Sequence, residues 1–82
     1  MVNVTQRPEW HGAPVELGEL FTMRKGSRVA RCALRSHQLG WELSLFVGHQ
    51  TEVVQSAVCR SQDDVLKTGD AWKAAMIEKG WQ

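Results

Sequence analysis

Eighty-two residues make one domain, and chains of this size bury only about 60% of the surface their unfolded form exposes. With 43% apolar and 23% charged residues and a formal net charge of +1, the chain has the make-up of an ordinary globular domain and no global field to steer an acidic partner. Two cysteines make no disulfide framework, residues 1–19 hold no apolar signal-peptide core, and no apolar run reaches the roughly 18 residues of a membrane span, so the expectation is a cytoplasmic chain with free thiols and no membrane.

Charge is unevenly placed. No acid occurs between Leu20 and Trp41, where five bases stand: Arg24, Lys25, Arg28, Arg31 and Arg35. Both flanking segments are net acidic. Four tryptophans and no tyrosine give a short chain much of its core volume as indole.

Residues 1–14 show no sustained period and are broken by Pro8, Gly12 and Pro14, which reads as a loosely ordered N-terminal arm preceding one α+β domain over 15–82. Trp10 argues that part of the arm docks, on its own core or on a second subunit. In Val15–Arg24, the positions Val15, Leu17, Glu19, Phe21 and Met23 alternate onto one face. Gly18 weakens a helix, so a strand is expected over 19–24. Lys25-Gly26-Ser27 then forms a turn, with glycine supplying positive φ.

Arg28–His37 reads as a long strand, with Ala30, Cys32 and Leu34 on one face and Val29, Arg31, Ala33, Arg35 and His37 on the other. Gln38-Leu39-Gly40 closes a hairpin, with Gly40 as the left-handed residue. Trp41–Val47 alternates strictly, placing Trp41, Leu43, Leu45 and Val47 together, opposite Glu42, Ser44 and Phe46. After a turn at 48–51 comes a valine-rich strand over 52–60. Its expected inner face is Val54, Ser56 and Val58, although Val53, Ala57 and Cys59 are almost as apolar.

Ser61 suits an N-cap, and Asp63 and Asp64 meet the positive end of the helix dipole. Helical spacing over 62–79 gathers Val65, Gly69, Trp72 and Met76 on one stripe. Gly80 and Trp81 then read as a Schellman ending, with Trp81 folding back on Met76. The expected fold is a two-layer α+β domain: an antiparallel meander of three to four strands (19–24, 28–37, 41–47, 52–60) with one C-terminal helix on one face. The other face is left open.

Four constellations could carry chemistry. Cys32, His37, His49 and Cys59 are a tetrahedral-zinc donor set, but no two of them have the short spacing of zinc ligands, so no metal is expected. Catalysis has nucleophiles in Cys32 and Cys59 and bases in His11, His37 and His49. No nucleophile elbow or phosphate loop accompanies them, so no catalytic residue and no cofactor is assigned. Arg24, Arg28, Arg31 and Arg35, with His37, Glu42 and Phe46, form a candidate partner-binding face, since a basic strand with an aromatic neighbour can track phosphates and stack bases. In element order a three-stranded meander with one helix resembles several small DNA-binding modules, such as the arm-binding domains of integrases; no motif ties this chain to them. Finally, Trp10, Phe46, Leu66 and Ile77 are apolar surplus beyond the core stripe and are candidate dimer contacts.

The leading expectation is a non-enzymatic binding or assembly protein, acting through the open sheet face or a homodimer interface, with itself or another protein as partner. The alternative is a nucleic-acid-binding module using the basic face of residues 24–35. A third is a small enzyme whose site is shared between subunits.

Overall fold

The computed structural model of the chain describes residues 8–48 and 53–82. Strands β1 (Glu16–Lys25), β2 (Arg28–His37), β3 (Gly40–Val47) and β4 (Gln55–Cys59) form one antiparallel sheet in the order β1-β2-β3-β4, and helix α1 (Gln62–Glu78) follows. The α+β meander expected from the pattern is the fold observed.

The hairpins follow from their turn residues. β1 and β2 are joined by Gly26-Ser27, and Gly26 takes φ 61° at the first loop position. At the β2–β3 hairpin, Gly40 takes the positive φ expected of it. Its φ is 140°, and it is already the first residue of β3. Contact also requires glycine: a Cβ there would lie 2.6 Å from the carbonyl oxygen of Cys59, so only glycine lets β4 come this close.

β1 is longer than the expected 19–24. Ser36 donates its backbone N–H to the Val15 carbonyl at 2.9 Å, and the Val15 N–H donates to Ser36 Oγ at 2.9 Å, drawing the chain into the sheet from residue 15. Two register shifts, between Glu16 and Gly18 and between Glu19 and Phe21, break the alternation. Glu19 is thereby carried opposite Ala33 and off the face it would share with Phe21 and Met23.

β4 is shorter than the expected 52–60 and faces the other way. Cys59 is buried and Ala57 half-buried, while Ser56 and Val58 are exposed. The run is apolar on both faces, so period two alone could not choose, and a one-residue slip inverts every side chain. Pairing of Cys59 with Trp41, Ala57 with Leu43 and Gln55 with Leu45 fixes the choice. Residues 49–52, including His49 and the first residue of the expected strand, lie outside the described residues, as do residues 1–7 of the arm.

The helix is specified at both ends. Ser61 Oγ accepts from the Asp64 N–H at 3.1 Å. At the other end the Trp81 N–H donates to the Met76 carbonyl and the Gly80 N–H to that of Ile77, both at 3.0 Å, with Gly80 at φ 95°. This is a complete Schellman motif, and it delivers Trp81 into the core beside Met76. The chain then runs along β1: Gln82 and Arg24 exchange two backbone hydrogen bonds of 2.7 and 2.8 Å.

α1 therefore starts beside β4, where it follows Cys59, and finishes beside β1. Between those ends it crosses the sheet diagonally. Its inner stripe, Val65, Gly69, Trp72 and Met76, rests on Ala30, Cys32, Leu34, Trp41, Leu43 and Leu45. Burying one such aliphatic side chain contributes about 1.5–3 kcal/mol.

Two glycines with opposite roles test this packing. A Cβ on Gly69 would meet Leu20 Cδ1 at 3.5 Å and Leu43 Cδ2 at 3.9 Å, ordinary contact distances. Gly69→Ala should raise stability by about 0.5–1 kcal/mol, through helix propensity and a less free unfolded chain. Gly40→Ala should lower it by about 2 kcal/mol or more, from the clash with the Cys59 carbonyl and the strained φ. Urea denaturation of the two variants checks this; equal effects would contradict the geometry.

Candidate interaction surfaces

The face away from α1 carries Glu16, Glu19 and Arg24 from β1, Arg31, Arg35 and His37 from β2, Glu42, Ser44 and Phe46 from β3, and Ser56 and Val58 from β4. Among the described residues no second layer covers it, yet Ala33 and Ser44 are fully buried and Phe46 is only 6% exposed. Long side chains roof them. The Arg31 guanidinium lies 4.6 Å and that of Arg35 5.6 Å from the Phe46 ring centroid. Arg31 also donates to Glu16 at 3.0 Å and to Glu19 at 3.4 Å, and Thr22 Oγ1 donates to Glu19 at 3.0 Å. The hydrogen bond to Glu16 is the main reason the Arg31 pKa is raised. These pairs are half-exposed and worth about 0.2–1 kcal/mol each. Their larger effect is to hold the arginine stems over Phe46.

The sequence-derived candidates therefore divide. Arg31, Arg35, Glu42 and Phe46 are brought together, with Arg35 directly across the ladder from Glu42. Arg24 sits at the far end of β1, opposite Val29. Arg28 is on the other face, its guanidinium 5.3 Å from the Trp81 ring centroid. His37 closes the β2–β3 turn, where Nδ1 accepts from the Leu39 N–H at 3.0 Å and the ring lies 6.2 Å from that of Trp10. Phe46 is roofed within its own chain rather than offered to a partner. Leu66 and Ile77 are exposed on α1, eleven residues apart and toward opposite ends of the helix. The acid-free window from Leu20 to Trp41 looked basic only along the chain. In the sheet Arg31 meets Glu16 and Glu19, and Arg35 lies across from Glu42, acids that stand outside that window.

Among the described residues, no three side chains of the metal-ligating types converge. Cys32 and Cys59 lie on β2 and β4, with β3 between them. Burial, aided by the charge of Cys59, pushes the Cys32 thiol up to about 12. Burial also raises Cys59, against the opposing effect of its contact with Thr68. Neither thiol is an activated nucleophile in this fold. No helix of the described residues is long and apolar enough to cross a membrane.

The two edges of the sheet differ, a feature the sequence reasoning missed. β1 is guarded by its register shifts, by Glu16, Glu19, Arg24 and Lys25, and by Gln82 pairing with Arg24. β4 has none of these. Gln55-Ser56-Ala57-Val58-Cys59 carries no charge and no proline, pairs with β3 in unbroken register, and exposes 47% of Val58. Among the described residues no strand pairs with the outer side of β4, and edges of this kind pair with other strands unless something prevents it. Comparisons with protein-family models, with curated proteins and with solved structures found no match to this chain.

Two predictions follow from burial. Ser44 Oγ is buried and has no hydrogen-bond partner among the described residues. Ser44→Ala should therefore raise stability by about 1 kcal/mol in chemical denaturation, and a loss would mean the hydroxyl is satisfied. For the thiols, the folded state holds its proton to higher pH than the unfolded chain, whose thiols ionise near 9.0. Above that value the unfolded state binds fewer protons, so stability is unaffected below it and falls as pH rises, by up to about 1.4 kcal/mol per unit for each thiol. Denaturation curves between pH 8 and 10.5 should show this decline, and Cys32→Ala should flatten it. A wild-type curve that is flat over this range would contradict the burial.

Proposed function

We propose that this chain is a homotypic assembly module, joined through β4. The observation that carries the reading is the contrast between its two sheet edges: β1 has register shifts, four charged side chains at its ends and a backbone pairing with Gln82, whereas β4 has no charge, no proline and no register shift. Two β4 strands lying antiparallel about a two-fold axis satisfy each other's outward backbone groups with one self-complementary patch. The sheets of two chains then become one sheet. Both helices lie on one side of it and both charged faces on the other. Val58 of each chain is covered at the junction.

The open charged face supports the nucleic-acid alternative less well. Arg24, Arg31 and Arg35 share it with Glu16, Glu19 and Glu42, so no excess of positive charge faces a phosphate backbone.

Sedimentation equilibrium at high micromolar concentration should give twice the 9.2 kDa chain mass. Val58→Lys, which sets like charges against each other at the junction, should return it to a single chain with unchanged circular dichroism. A wild-type monomer, or a dimer that Val58→Lys leaves intact, would sink the assignment.

A further inference from the structure

The diagonal course of α1 opens a groove at the end where the helix has moved away from β4. It has a volume of about 390 Å³. Its floor is Leu45 and Val47 of β3, one wall is Val54, and the other wall is Trp72, Met76 and Trp81. Lys79 lies on its lining. Two further bases stand nearby: Arg28 over the Trp81 ring at 5.3 Å, and Lys25 beside the preceding residue, its Cε 3.4 Å from where a Cβ on Gly80 would lie. Among the described residues none of these three cations forms an ion pair with a carboxylate. They contrast with Arg31, which is held by two.

An apolar concavity of a few hundred cubic ångströms with a small number of polar groups at its rim is the usual form of a small-molecule site. Among the described residues, the one charged side chain lining it is the cation Lys79. The geometry points to a ligand with an aliphatic or aromatic body and a single anionic head, such as a medium-chain carboxylate. The body lies on Leu45, Val54 and Trp72, and the head meets Lys79, with Arg28 adjacent across Trp81. The occupant is a free small amphiphile, bound one per chain. Gln55, the first residue of β4, also lines the groove, so the site borders the proposed junction, but Val58 is not part of its lining.

Decanoate is the probe, titrated by calorimetry well below its micellar range, with tryptophan fluorescence recorded in parallel. Saturable binding of one decanoate per chain is expected, with a change in tryptophan emission as the partly exposed Trp72 is covered. Decanol, which has the same chain length and no charge, should bind about tenfold more weakly, since a charge-assisted contact is lost. Lys79→Met should lower decanoate affinity to the level of decanol. Ala75→Phe, which fills the groove from its wall, should abolish binding of both, with the thermal transition of the variant intact. The same titration on Val58→Lys should give the same affinity, separating the groove from assembly. Absence of saturable binding, equal affinity for acid and alcohol, or unchanged decanoate affinity in Lys79→Met or Ala75→Phe would each overturn the site.

Discussion

One helix must cover four strands. An α-helix with its side chains is about 10–12 Å wide and strands lie about 4.8 Å apart, so a single helix covers roughly two strands at any level of the sheet. Here it solves the problem by crossing from β4 to β1 rather than lying along one strand pair. The solution closes the core on the diagonal and leaves two opposite corners thinly covered. At one corner, where β1 begins, Val15 and Leu17 stay exposed. At the other, where β4 begins, the groove of Trp72 and Trp81 remains. Both follow from the ends of α1, and those ends are fixed by Ser61 and by the Schellman turn at Gly80.

The second face of the sheet is closed in another way. Among the described residues there is no further helix for it, and the methylene stems of arginine and glutamate cover it instead. Small residues, Ala33 and Ser44, lie at the centre where no large apolar group could be covered. The one large apolar group there, Phe46, is the platform on which Arg31 and Arg35 lie. Charge on this face is therefore part of the fold's covering. That is why the same arginines that look like a docking surface along the chain are already engaged in three dimensions.

Much of this was legible in the sequence where one face was clearly apolar and the other clearly polar. Trp41–Val47 fixed its own facing, and Ser61, Gly80 and Trp81 announced both helix ends through groups that only a helix terminus needs. The failures share a cause. In β1, register shifts carry Glu19 to the opposite face, and nothing local marks where the extra residues fall. In β4, both faces are apolar, and the deciding contact is between Gly40 and the Cys59 carbonyl, nineteen positions apart. Arg28 differs from Arg31 by an odd number of positions, so alternation alone already set them on different faces. The reading as a shared basic patch gave weight to nearness along the chain over parity along the strand. The groove was invisible because it is a property of the crossing angle of α1, which no periodicity reports.

The pairing of Gln82 with Arg24 has a consequence for how the molecule is made. During synthesis the N-terminal elements emerge first, at about 5–20 residues per second. Strands β1 to β3 can pair as soon as their turns are free, since all their contacts are between neighbours. The sheet face they create has no cover until α1 has emerged, and β1 lacks its last backbone partners until residue 82 does. The first strand is thereby tied to residues that follow the helix, with Gln82 on Arg24 and Trp81 against Met76.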